Sequence, residues 1–127
     1  MKQAYVSAIG CALMALLFIG SGLSKLGAAE ATTGYIASVG LPFASVVYAL
    51  TVLVEIGGGV LLLLGYQFRP VAAILALFTL AAGLIFHSNL ADQNQMIHLM
   101  KNFAIAGGLL HMAATGTGRF SLDARRA

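Results

Sequence analysis

The sequence predicts an all-α integral membrane protein, a four-helix transmembrane bundle, and three observations carry that reading. Of the 127 residues 60% are hydrophobic and 9% charged, too little charge to coat a water-soluble globule. The mean hydropathy is +0.93. The seven Lys/Arg and four Asp/Glu fall mainly at boundaries between long apolar stretches and not along helix faces.

A span needs about 20 mainly apolar residues. Four segments qualify: roughly 5–26, 43–66, 70–90 and 97–115. The opening Met1-Lys2-Gln3 before an apolar run has the outline of a secretory signal, with a small-residue site at Gly27-Ala28-Ala29. The run to Leu26 exceeds a signal core and carries the small-polar pattern of a packed helix, so it is expected to stay as the first span. The connection 27–42 is long enough for a short re-entrant or interfacial turn, placed around 35–39. The second connection, Gln67-Phe68-Arg69, is a tight turn, and Pro70 suits the first turn of the next helix. Residues 91–96 form a polar third connection, with Asp92 a turn residue, and the tail after Gly116 is short and basic.

Lys2, Arg69, Arg119, Arg125 and Arg126 fall on one side of an even-numbered bundle, and Lys25 and Lys101 on the other. The positive-inside rule then places both termini in the cytoplasm. The pI of 9.4 brings no stripe of cations interleaved with aromatics, so no nucleic-acid partner is expected. The partner is the lipid bilayer, and exposed small-residue faces permit a homo-oligomer. The single cysteine, Cys11, excludes a disulfide framework and any CxxC motif and reads as a small buried hydrophobe.

The informative residues are polar ones on apolar helices, because an ionisable group within a span faces the protein interior and marks function. Glu55 lies near the middle of the second span. Thr51, Glu55, Gly58 or Gly59, and Leu62 follow a three-or-four step and share a face. Similar stripes run through Ser7, Cys11, Phe18, Gly22 and Lys25; through Ala76, Thr79, Gly83 and His87; and through Lys101, Ala104, Gly108, His111 and Thr115. Turned inward, they predict a polar pocket with Glu55 at its floor and Lys25, His87 and Lys101 around an outer-leaflet mouth. Asn102 and Gly58 complete the candidate ligand-binding set, with Glu55, Lys25, His87 and Lys101 the candidate catalytic groups.

Each has a plainer reading. Lys25 and Lys101 snorkel, Glu55 anchors a lysine, and His87 and His111 bond between helices. His98 is expected at the interface. No HxxxH or ExxH pair lies on one helix, so no metal site is expected. Gly57-Gly58-Gly59 lacks the strand and the Lys-Ser/Thr of a phosphate loop.

The order Phe18-Ile19-Gly20-Ser21-Gly22-Leu23-Ser24-Lys25-Leu26, Gly40-Leu41-Pro42, Glu55-Ile56-Gly57-Gly58-Gly59, Arg69 with Ala72-Ala73, Lys101-Asn102, Gly107-Gly108, then Gly116-Thr117-Gly118 with Phe120-Ser121-Leu122-Asp123 resembles the DoxX family of small bacterial membrane proteins. The likeness covers the whole chain, 1–127, as one transmembrane domain. It implies a four-helix inner-membrane protein that in some relatives works with soluble oxidoreductases and is linked to quinone or thiol stress.

Three functions compete. In the first, the chain is a redox-associated subunit that binds a quinone-like molecule, with Lys25, His87, Lys101 and Asn102 as donors and Glu55 as proton relay or lysine anchor. No flavin, haem or iron–sulfur motif is present, so no intrinsic cofactor is expected and electrons would come from a partner. The second is a non-catalytic anchor for soluble oxidoreductases. The third is a small transporter coupled through Glu55.

Overall fold

The computed structural model describes residues 2–87 and 91–116. They form five helices and no strand: α1 (Lys2–Leu26), α2 (Ala29–Ser38), α3 (Ala44–Leu64), α4 (Phe68–Phe86) and α5 (Gln93–Thr115). Among the described residues, α1, α3 and α4 are long and apolar enough to cross a membrane. The fourth expected span, α5, falls short in hydropathy, because Gln93, Asn94, Gln95, His98, Lys101 and Asn102 crowd its first half. The basic tail, with Arg119, Asp123, Arg125 and Arg126, lies outside the described residues.

Residues 2–67 form one unit, built from α1, α2 and α3. Two glycines set its register. A Cβ at Gly22 would meet the Ile56 side chain and, at 3.3 Å, the Cβ of Glu55; one at Gly59 would meet Ile19 Cγ1 at 2.7 Å and the Ala15 carbonyl at 3.3 Å. The two helices therefore run antiparallel with backbones in close approach, the use to which small residues are put between membrane helices. The buried positions follow: Ala15, Phe18 and Gly22 on α1, and Glu55, Gly59 and Leu62 on α3. The last turn of α1 lies beside the middle of α3, so the first turns of α3 extend past it.

The helix α2 packs on α3. The expected turn at 35–39 is instead the end of a ten-residue helix that begins at Ala29. No side chain caps its start; Glu30 in the first turn suits the helix dipole, and Ile36 buries its one apolar anchor. Gly40, at φ 89, turns the chain away, and Phe43, an exposed residue, enters α3 in the left-handed region at φ 54. At the other end Gly65, at φ 68, closes α3: its N–H bonds back to Leu61 and Leu62, and the Tyr66 N–H donates to the Leu61 carbonyl.

Phe68–Gly116 is the second unit, an α4–α5 hairpin. Pro70 falls in the first turn of α4, where its missing N–H costs nothing. Asp92 is more than a turn residue: its Oδ1 accepts from the Asn94 N–H at 2.9 Å and caps α5. Hence α5 starts at Gln93 and not at 97. At the far end, the Arg69 guanidinium lies about 3 Å from where a Cβ on Gly116 would stand. The start of α4 thus meets the end of α5, and the arginine sits at the negative end of that helix's dipole.

Candidate functional site

The α1–α3 register brings two of the candidate residues into contact. Counted along separate helices, Lys25 ends one span and Glu55 bisects another. In the structure Lys25 Nζ stands 2.7 Å from Glu55 Oε1. The Glu55 side chain is 6% exposed and that of Lys25 29%. The lysine also donates to Ser21 Oγ at 2.9 Å, one helical turn back on its own helix. Glu55 Oε1 is enclosed and takes no conventional hydrogen bond beyond the ammonium's approach. Such a pair repays its desolvation only through close geometry, and the geometry here is close.

Tyr48 completes the site. Its hydroxyl donates to the Lys25 carbonyl at 2.9 Å, a carbonyl at the end of α1 that also accepts from the Ala28 N–H at 3.1 Å. Tyr48 lies seven residues before Glu55, two turns away on the same face of α3, and that spacing was the available signal for it. Ser21, four residues before Lys25, was legible in the same way. Gly58 is half-buried; the glycine that meets α1 is its neighbour Gly59.

The other candidates lie on the α4–α5 hairpin. Thr79 Oγ1 donates back to the Leu75 carbonyl at 2.7 Å, and its own carbonyl accepts from Asn102 Nδ2 at 3.2 Å. Gly83 makes room for this, since a Cβ there would stand 3.1 Å from Asn102 Cβ and 3.3 Å from Leu99. The stripe expected to face inward on α5 is therefore displaced by one position. Lys101, Ala104, His111 and Thr115 are exposed and Gly108 half-buried, whereas Ala106 and Leu109 are buried and Leu99, Asn102 and Ile105 half-buried. Burying Leu109 and Ala106 removes apolar surface at no polar cost, and the same rotation turns Lys101 and His111 outward. Lys101 forms no ion pair among the described residues.

His87 follows the last turn of α4, its N–H still bonded to the Gly83 carbonyl at 2.9 Å. Its ring stacks on that of His98, with centroids 4.9 Å apart and planes 26° from parallel. Its Nδ1 is buried with no hydrogen-bond partner among the described residues. Burial, and then the neighbouring His98, hold the His87 imidazole below the usual histidine value. No group of three metal-ligating side chains occurs among the described residues.

The family model described as DoxX matches residues 8–88, a stretch that holds Lys25, Tyr48, Glu55 and His87 and stops short of Lys101 and Asn102. The chain is 39% identical over 111 residues to Inner membrane protein YqjF of Escherichia coli (strain K12), covering 87% of this chain and 84% of that protein. It is 35% identical over 115 residues to Inner membrane protein YphA of the same organism, covering 87% and 82%. No solved structure matches.

Proposed function

The chain belongs to the DoxX family and is a multi-pass protein of the bacterial inner membrane, and from that premise we propose that it is a redox-associated membrane subunit binding a quinone-like molecule beside the Lys25–Glu55 pair. The observation that carries this reading is the pair itself: opposite charges 2.7 Å apart where two apolar helices meet, with the cation the more exposed partner. A purely structural interface of apolar helices is made by Gly22 and Gly59 without either charge. A quinone needs a donor for its carbonyl, and the Lys25 ammonium, the more exposed member of the pair, is one. Electrons would come from a soluble oxidoreductase, since the sequence has no motif for a redox centre of its own.

This reading includes four membrane crossings with both termini in the cytoplasm. The 23 residues of α5 rise about 34 Å, enough for a hydrocarbon layer of about 30 Å. The Arg69–Gly116 approach supports the crossing, because a helix that runs back along α4 to its start covers the same distance. An even number of crossings leaves Lys2 and Arg69 on the cytoplasmic side.

The test is extraction and mass spectrometry of small molecules carried by gently purified protein, wild type beside Glu55→Gln and Lys25→Met/Glu55→Gln. A quinone held by the wild type and depleted in the double variant supports the proposal. Equally folded and equally empty proteins refute it in favour of a membrane anchor for soluble oxidoreductases.

A further inference from the structure

We infer that His87 and His98 form a pH-sensitive latch at the turn end of the α4–α5 hairpin: neutral, their stacked rings hold that end closed, and charged, they part it as far as Gly83. The latch is independent of the quinone reading, since both rings belong to the hairpin unit.

The two helices are joined in steps along their length. Arg69 meets Gly116 at one end. Farther along, Asn102 Nδ2 donates to the Thr79 carbonyl at 3.2 Å, and Gly83 comes close to Asn102 and Leu99. Beyond Gly83, His87 stacks on His98 with ring centroids 4.9 Å apart and planes 26° from parallel.

Neutral rings suit this arrangement. A neutral imidazole with its proton on Nε2 presents only a lone pair at Nδ1, and His87 Nδ1 is buried without a hydrogen-bond partner among the described residues. A charged ring donates from both nitrogens, so Nδ1–H would become a buried donor with nothing to accept it. With His98 charged as well, two cations 4.9 Å apart repel. That repulsion multiplies the ratio of parted to stacked rings about fourfold even at the permittivity of water, and further in drier surroundings. Parting the rings separates the charges and admits water to Nδ1.

The other charged groups of the hairpin do not offset this repulsion. Arg69 lies at the opposite end, and His111 is exposed in the last turns of α5. Lys101 is exposed, one turn from His98, and adds positive charge. Asp92, the one carboxylate, is exposed, and its Oδ1 accepts from the Asn94 N–H. Residues 88–91 carry no charge. Burial, and then His98, hold the His87 imidazole below the ordinary histidine range. The stack is therefore complete above that range and is lost as the pH falls through the lowered value.

The experiment is pulsed electron paramagnetic resonance of the full chain in nanodiscs, carrying Cys11→Ser, with helical content checked by circular dichroism. One nitroxide pair, Leu84→Cys/Met96→Cys, stands near the latch, and a second, Leu77→Cys/Leu110→Cys, lies beyond the Thr79–Asn102 bond; all four positions are exposed. Between about pH 8 and pH 5 the population of longer distances in the first pair should rise at least about fourfold, with the second pair unchanged. His87→Phe/His98→Phe keeps two rings without charge and should hold the first pair short throughout. His98→Phe alone should reduce the rise and move the His87 midpoint upward in a histidine-ring NMR titration, with His111 as reference. A first pair that does not lengthen in the otherwise wild-type chain overturns the latch, as does a rise that persists in the double variant. A rise undiminished in His98→Phe overturns the repulsion between the rings. Lengthening of both pairs is loss of the whole hairpin and overturns the hinge at Gly83.

Discussion

Removing either member of the Lys25–Glu55 pair has unequal consequences, and the inequality can be worked from exposure. Lys25→Met leaves Glu55 Oε1, already without any other donor, facing a thioether in an enclosed site. An uncompensated buried charge of this kind costs about 3–5 kcal/mol. Glu55→Gln is milder. The lysine keeps its bond to Ser21, is 29% exposed, and has a flexible stem that carries the ammonium toward polar surroundings. The glutamine oxygen still accepts, so a loss of about 1–2 kcal/mol is expected. Lys25→Met/Glu55→Gln removes both charges at nearly constant volume and should be more stable than Lys25→Met alone, with a coupling of about 2 kcal/mol. The assay is unfolding of purified protein in mixed micelles by rising dodecyl sulfate, followed by far-ultraviolet circular dichroism. A Glu55→Gln cost equal to that of Lys25→Met, or single costs that add in the double variant, refutes the reasoning.

Three further outcomes are expected. Gly59→Ala should destabilise α1–α3 by about 1–3 kcal/mol because its Cβ meets Ile19 and the Ala15 carbonyl, whereas Gly57→Ala, with open space around it, should be neutral or stabilising; the same unfolding assay compares them. Asn102→Ala loses the bond to the Thr79 carbonyl and should cost about 0.6 kcal/mol, the usual worth of an interhelical hydrogen bond in a membrane, with Leu99→Ala as the packing control. The His87 ring, held below the ordinary value of 6.5, binds a proton less readily folded than unfolded. Stability should therefore be full above about pH 6.5 and fall as the pH drops through the lowered folded value, and His87→Phe should flatten that dependence in unfolding curves taken at neutral and mildly acid pH.

The three apolar helices were legible because hydropathy needs no partner to be read: α1, α3 and α4 all fall within a few residues of the expected spans. The helix α2 was not, since AEATTGYIAS has neither an apolar period nor a capping side chain, and it is held by burial of Ile36. On α5 the expected face followed the polar residues Lys101 and His111, while Leu109 and Ala106 decide the packing. Glu55 was visible as a carboxylate on an apolar helix, and Lys25 as the cation that ends the first span. Their contact was not, because it depends on how far α1 slides along α3. That offset is fixed by Gly22 and Gly59 acting together, a property of two helices that neither one carries alone.

The same offset bears on how the chain is made. The end of α1 stands against the body of α3, and a terminal carbonyl of α1 takes a second hydrogen bond from a hydroxyl that is translated 23 residues after it. Until α3 enters the membrane, the ammonium of the first helix has Ser21 beside it but lacks its carboxylate. Insertion of α1 is thus a provisional step, completed only when the later helix docks.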